Sequence, residues 1–593
     1  MTKTNVYIAS SEEEASFISS LPKKTKRKYK IIATSYDAKA LLDKLNVDSE
    51  ILDPLKNGTA EKFIKNSLNI SLALINDRQL DNIFSVNNSS ILPLFLNRFQ
   101  YYLLKILNAD ENLNLIARKN QRFNIVVKKT TRNGHLPPPV HHDFTSLIAP
   151  IWASFNDVKI KTISSKTHGA WTERSSKNKV LHFFIRFYDQ ITIMKISPKI
   201  IFVIPSDHAI QLVKIFKELE KSKVPYLAII HNLTVYDWLK LKISKINFVN
   251  RDSFTDDADK RKIDSALNNL QIRWNKVKKN FKLFNGDKKQ NLLLNDYAKL
   301  LLNQIVHYEM RSVINDMFIA RHILNINYPR ILITTTDPDP KVLTFIKYAN
   351  SKHVKSITIQ HGAYVQPSVV DFQSQTALIW GQYFKNWFIE NLKKGGKELV
   401  ITGSPFFDNL RIKKAVKTRN EKFVLLFLLS SEATESVYLF EELKNIFRKI
   451  NSKEIEKVNI RPHPWQSIEE SMLAVDKKSY SKINIAAKKN LLEYIEECDL
   501  VVTMNTTAGL VPLILGKPVI YWDFNKSEKL PFKKYSLPNA TSQRELVDLI
   551  KKFMSGSSRI SEEARKEILK SIFYKLDGKS SKRTVNYLKT LLD

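Results

Sequence analysis

Four short stretches carry residue types that do chemistry on phosphates and hydroxyls. In VNIRPHPWQS (458–467), Arg461 and His463 stand among Pro462 and Pro464 directly behind an apolar run. Proline fixes φ and lacks an N–H, so His463 sits on a stiff loop that neither extends a sheet nor enters a helix interior. An arginine and a histidine held there can stabilise charge building on a leaving phosphate; a rigid surface turn is the plain alternative. In MNTTAGLVPLILGKPVI (504–520), Asn505, Thr506, Thr507 and Gly509 open an apolar helix. Free N–H groups and threonine hydroxyls at a helix start bind phosphate oxygens, although either threonine can equally be an N-cap. In TTTDPDPK (334–341), Asp337 and Asp339 lie on a loop stiffened by Pro338 and Pro340. Asp337 is a candidate general base for a hydroxyl. The cap of the helix PKVLTFIKYA is a rival role, and a metal pair is a weaker one, because further acidic ligands are not evident. In TIQHGAY (358–364), His361 beside Gly362 is either a site residue or a strand-end hydrogen-bonder, and the glycine permits a close approach.

A fifth stretch, RNGHLPPPVHHDFTS (132–146), holds His135, His141, His142 and Asp143 on a proline-rich loop. Its spacing matches no standard metal pattern. Its placement is open between the neighbourhood of an acceptor and an ordered surface loop.

Each of these stretches follows an apolar run, the last of them FNIVVKK (123–129). Runs such as KIIFVIPSD (199–207), PYLAIIHN (225–232), RILITTTDPD (330–339), KFVLLFLLSS (422–431) and DLVVTMNTT (499–507) recur, each followed by a helical stretch. Near-continuous β-branched runs alternating with helices predict doubly wound parallel sheets covered on both faces. Ligands of such folds lie beyond the carboxyl ends of the strands. That rule adds Gly403 and Ser404 (KELVITGSP) and Ser430 and Ser431 to the candidates. A polar, basic stretch at 403–422 divides the chain into a part from 1 to 405 and one from 420 to 575, with a helical tail at 576–593. Residues 250–325 lack strand patterns and read as a helical insertion. Residues 1–120 are open to forming a lobe of their own.

The composition, 43% hydrophobic and 26% charged over 593 residues, is globular and too long for one core. The single cysteine, Cys498, excludes an internal disulfide and a cysteine zinc site and fits a reducing compartment. No signal sequence and no membrane-length apolar run is visible, so a cytoplasmic protein is expected. The net charge of +35 is lysine-rich and diffuse. It suits an anionic membrane surface at the inner face or a simply solvated exterior. No nucleic-acid-binding motif accompanies it, and nucleic acid is not expected as a partner.

The motifs SITIQHG, ALIWG…KELVITGSPFFDNL, NIRPHP and CDLVVTMNTTAGLVPLILGKPVI, spanning roughly 330–525, together resemble the GT-B glycosyltransferases of bacterial surface-polysaccharide synthesis. They are most similar to capsule-type enzymes using CMP-activated acidic sugars (sialic acid or Kdo) and to their CDP-glycerol-dependent relatives. The resemblance implies two Rossmann-like domains facing a cleft, the first on the acceptor side and the second binding the nucleotide. Carried over, His463 and Pro464 would hold CMP, Thr506 and Thr507 its phosphate, and Asp337 or Asp339 would be the base. The implied reaction is an inverting transfer with no obligatory metal and no cofactor beyond the nucleotide sugar. The acceptor would be a surface glycan or a lipid-linked sugar. Independently of the resemblance, the tail SSKRTVNYLKTLLD (580–593) reads as a helix that packs back across the cleft. Val511 and Pro512 stand where many GT-B enzymes place a ribose-binding glutamate, and the DPDP motif lacks the glycine usual after the sialyltransferase acidic residue. Three other readings remain: a CDP-glycerol-type polyol-phosphate transferase using His361 and His463, a UDP-sugar 2-epimerase-like enzyme, and a non-catalytic glycan or nucleic-acid binder.

Overall fold

A computed structural model describes residues 4–593 apart from 27–28, 53–59, 87–88, 121–122, 130–143, 165–184, 186–187, 190, 193–195, 256, 337–338, 364–372, 392–397, 414–421, 430–438, 451–452, 464–481, 487–489, 505 and 524–531.

Three parallel sheets organise the chain. The first is built from β1 (Thr4–Ala9), β2 (Tyr29–Ala33), β3 (Glu50–Ile51), β4 (Phe123–Lys129) and β5 (Lys159–Ser164), in spatial order β3-β2-β1-β4-β5. The second contains β6 (Ile200–Pro205), β7 (Tyr226–His231), β8 (Phe248–Asn250), β9 (Ile331–Thr334), β10 (Lys355–Ile359), β11 (Thr376–Ile379) and β12 (Glu398–Ile401), in order β8-β7-β6-β9-β10-β11-β12. The third contains β13 (Phe423–Leu428), β14 (Ile455–Arg461), β15 (Ile483–Ile485), β16 (Leu500–Thr503), β17 (Val519–Trp522) and β18 (Asn539–Ala540), in order β15-β14-β13-β16-β17-β18. Every strand of β6 and β7 is buried along its whole length, as a sheet covered by helices on both faces requires. Pro205, opposite His231 in the register, ends β6 because it has no N–H to donate.

The strand order of the second and third sheets is the Rossmann order, reversing between β6 and β9 and again between β13 and β16. The expected α/β class, two Rossmann-like domains with a helical insertion, is what the chain adopts. The first sheet has strands that run to Ser164, past the limit of 120 considered for a separate lobe. It shares one apolar core with the second sheet, in which Val6, Ile32 and Ile125 join Ile201, Leu227 and Trp274.

The helices that matter for the site are α1 (Leu96–Lys119), α2 (Ser206–Gln211), α3 (Val235–Ile243), α4 (Asp257–Val277), α5 (Lys289–Gln304), α6 (Met310–Asn327), α7 (Pro340–Ser351) and α8 (Ser580–Thr590). A π-turn at Ile305–Glu309 joins α5 to α6. The C-terminal helix α8 leaves the third sheet and packs on the second: Val585 and Leu588 are buried against Ile200, Phe202 and Phe216. Its first turn is held by Asp408, whose carboxylate accepts from the Ser580 and Ser581 N–H groups at 2.9 and 2.7 Å. Gly403, at φ +81°, lies against this helix; a Cβ there would press on Ser580 and Arg583. Among the described residues no helix is long and apolar enough to cross a membrane.

Candidate active site

The carboxyl ends of the second sheet carry a row of histidines. His208 on α2 follows β6, His231 ends β7 and His361 follows β10. At the point where strand order reverses, between β6 and β9, His208 Nδ1 and Thr335 Oγ1 share a hydrogen bond of 2.7 Å. The His208 and His361 rings lie 4.8 Å apart, and Phe406 closes on His208 from the GSPFF loop at 5.5 Å. His231 is 5% exposed, and neither ring nitrogen has a hydrogen-bond partner among the described residues.

Burial governs the charge state of this row. It pushes the His208 ring down to about 4, with help from His231. Burial likewise pushes His231 down to about 4, with Asp339 opposing and Lys341 and Arg251 adding to the shift. His361 is half-buried with its Nδ1 shielded from water; burial first and His208 second hold it well below the usual histidine value, while a hydrogen bond to the Thr335 backbone opposes them. All three imidazoles are neutral near pH 7, able to accept a proton or a hydrogen bond from a ligand hydroxyl.

Carboxylates from the helical insertion stand behind them. Asp316 on α6 is fully buried 3.3 Å from Arg251, which follows β8. Burial raises it to about 7 against the pull of Arg251. Glu309, placed by the π-turn, accepts from the Tyr102 hydroxyl at 2.8 Å and pairs with Arg98 at 3.1 Å. Burial raises it as well, with Arg98 opposing. Asp339 is the N-cap of α7, its Oδ1 accepting from the Lys341 N–H at 2.9 Å. Its charge also acts on His231, Glu309 and Asp316. Asp339 thus combines a capping role with a place in the polar cluster.

The opposite edge belongs to the third sheet. Thr506 caps the short turn after β16, accepting from the Ala508 N–H at 3.4 Å, the plain capping role. Thr507 does something else: its Oγ1 accepts from the Ala363 N–H, two residues past His361, at 2.9 Å. The strand ends of the two Rossmann-like sheets meet at this bond. Gly509 lets the turn close over β16, since a Cβ there would overlap the Thr503 side chain. Arg461 ends β14 and donates to the Ala486 carbonyl, bracing β14 to β15; Pro462 is buried and His463 half-buried beyond it. β13 lies between β14 and β16, so the Arg461–His463 loop and the Thr506–Thr507 turn are two strand spacings apart, about 10 Å. Both lie at the carboxyl ends of their strands, on either side of the second reversal of strand order, where ligands of such folds bind.

The QHG stretch is rigid. Gln360 donates from Nε2 to the Gly362 carbonyl and accepts at Oε1 from the Trp380 N–H, while Trp380 Nε1 donates to the Gln360 carbonyl at 2.7 Å. Gly403 and Ser404 follow β12 on the second sheet and face α8; Ser404 is buried. The turn that begins at Val511 is buried and holds no carboxylate from Val511 to Ile514. Asp337, Pro464, Asn505, Ser430, Ser431, His135, His141, His142 and Asp143 lie outside the described residues. Among the described residues no three His, Cys, Asp or Glu side chains are grouped to hold a metal ion.

His208 and His231 are not among the candidates expected from the sequence, although both stand at the ends of the apolar runs KIIFVIPSD and PYLAIIHN, where the strand-end rule applies. Arg251 directly follows β8, a strand of three residues too short to show a pattern, while Glu309 and Asp316 carry no such signal because helix packing alone brings them there.

No protein-family model matches the sequence, and no curated protein matches it. Among solved structures the chain is similar to the UDP-GlcNAc 2-epimerase of Neisseria meningitidis bound to UDP-GlcNAc, with 12% identity over 66% of this chain and 99% of that one at a TM-score of 0.41. It is similar to a glycosyltransferase of Rickettsia africae, with 11% identity over 66% and 98% of the two chains at 0.40. The same holds for TarM of S. aureus, solved with α-GlcNAc-glycerol and UDP, with 11% identity over 66% and 100% of the two chains at 0.40.

Proposed function

We propose that the chain transfers a sugar from a nucleotide-activated donor to an acceptor hydroxyl in the cleft between its second and third sheets, and that the donor is a CMP-linked acidic sugar. The observation that carries this reading is the Ala363–Thr507 hydrogen bond, which sets buried neutral imidazoles against a turn of hydroxyls and N–H groups. In the transfer the acceptor oxygen bonds to the anomeric carbon as the sugar–phosphate bond breaks, and CMP leaves with the electron pair. The acceptor proton passes to a base on the second sheet, the Asp337–Asp339 loop or His361. The Thr506–Thr507 turn, Arg461 and His463 hold the phosphate and stabilise the charge it gains. The acceptor is a surface glycan or a lipid-linked sugar. No step requires a metal.

The presence of a histidine on each edge, His361 and His463, also supports polyol-phosphate transfer from a CDP-linked donor. Thermal stabilisation of the protein by CMP, CDP, UMP, UDP and GDP separates the readings, because a ligand that binds only the folded state must raise its melting temperature. Stabilisation by CMP that disappears in His463→Ala supports acidic-sugar transfer; preference for CDP supports the polyol-phosphate reading. Preference for UDP overturns the donor assignment, and no response to any nucleotide overturns the function.

A further inference from the structure

Helix α3 departs from the usual burial of apolar side chains. Val235 (42%), Tyr236 (65%), Leu239 (49%) and Ile243 (80%) are all exposed. At about 100° per residue these four fall within an arc of about 100° on one face of the helix. The other face is seated conventionally: Leu241 is fully buried, and Trp238 packs edge-on to Phe248 at 6.5 Å. The exposed apolar arc is therefore an addition to a helix already anchored.

The flanks of the arc are cationic. Lys240 lies on one side, its ammonium 4.2 Å from the Tyr236 ring. Lys242 lies on the other, 3.4 Å from the centre of the Tyr188 ring, which is itself 44% exposed. Lys245 follows the helix and is exposed. Aliphatic centre, aromatic rings and lysines at the margin make up the pattern of a helix lying in a bilayer interface. There apolar side chains enter the acyl boundary while lysines and tyrosines reach headgroups. A net charge of +35 adds long-range attraction to anionic lipid.

Position gives the patch a use. α3 begins four residues after His231, capped by Thr234, and packs against α2, which carries His208. The helix that carries the exposed arc is therefore a direct neighbour of the elements that carry His208 and His231.

We propose that α3, with Tyr188, is the surface by which this protein docks on an anionic lipid bilayer, holding the second sheet's strand ends at the headgroup level. This surface goes beyond the transfer reading and does not depend on it. Charge complementarity and the aromatic margin select a lipid surface over a second copy of this strongly cationic chain, which would repel itself.

The test is co-sedimentation of the full-length protein with vesicles of phosphatidylcholine containing phosphatidylglycerol, beside vesicles of phosphatidylcholine alone. Wild type binds the anionic vesicles and is released in about 1 M salt, where the screening length is about 3 Å. Leu239→Ser/Ile243→Ser weakens binding about tenfold per side chain, and Lys240→Gln about fivefold. Both variants keep the wild-type melting temperature, since no buried group is altered. Lys551→Gln/Lys552→Gln, on the exposed side of helix Gln543–Met554, removes more charge than Lys240→Gln and leaves binding unchanged. Equal loss in that remote variant overturns the proposal in favour of diffuse charge. Unaltered binding by Leu239→Ser/Ile243→Ser also overturns it, as does no vesicle binding at all. Self-association abolished by the double substitution, without vesicle binding, assigns the face to a second copy instead. Nucleotide stabilisation is read on the same samples, so a failure of the transfer reading is seen separately from a failure of docking.

Discussion

The two facing edges of the cleft are made from different chemistry. The second sheet ends in buried or half-buried ionisable side chains: three histidines, with Asp316 and Glu309 behind them, all five shifted by burial from their usual values. The third sheet ends in hydroxyls, a glycine turn and an arginine whose partners are largely backbone. The first edge is suited to moving protons, because burial keeps its imidazoles neutral. The second is suited to holding an anion, because dipoles and hydroxyls do so without titrating. On the transfer reading, similar Rossmann-order sheets would take opposite tasks, according to which residues follow the strands.

Four substitutions test that division. The largest effect is expected at His361. On the transfer reading, His361→Gln lowers nucleotide release in the presence of acceptor by about 10²- to 10⁴-fold with nucleotide stabilisation intact; unchanged release removes the imidazole from the chemistry.

His231 comes next, through stability. Its ring is neutral in the folded protein down to about pH 4, against an ordinary value of 6.5. The unfolded chain therefore takes up the extra proton as pH falls through 6.5, and folded stability declines from there to about pH 4. A shift of that size corresponds to about 3 kcal/mol. Denaturant titrations of His231→Gln should show that much less loss of stability between pH 7 and 4 than wild type; parallel curves would mean that the ring is hydrated. Asp316, raised by burial to about 7, works in the opposite direction, gaining stability as pH falls below 7, so the comparison between variants carries the test.

On the other edge, Gly509→Ala forces a methyl into Thr503 and should cost about 1–3 kcal/mol by denaturant titration. A wild-type midpoint would show that the turn relaxes freely. The smallest stability change is expected at Asp339→Asn. Asparagine caps a helix as well as aspartate, so stability should stay within about 0.5 kcal/mol, while transfer falls if this carboxylate is the base. Full activity in that variant leaves capping as its role.

Much of the architecture is legible in the apolar runs. KIIFVIPSD and PYLAIIHN become β6 and β7, and DLVVTMNTT becomes β16, each closed by proline or a polar residue where the ladder stops. β3 and β8, with two and three residues, are too short to show a pattern, which is why the extent of the first sheet is hard to read. At DPDP the sequence offers two helix starts; the structure places Pro340 first in α7, so the cap is Asp339. His361, Arg461 and Thr507 are found from strand ends alone, and His208 and His231 answer to the same rule. What no local pattern reveals is the reach of one element to another: the π-turn that aims Glu309 at Arg98, and the Thr507 hydroxyl that accepts from Ala363 across 144 residues.

The most direct test of divided labour is calorimetric titration of CMP into wild type, Thr507→Val and His361→Gln. Thr507→Val should weaken binding about tenfold, the loss of one hydrogen bond to a charged group, and His361→Gln should bind as wild type does. Equal weakening in both variants, or no binding by wild type, would contradict the assignment of the nucleotide to the third sheet's edge.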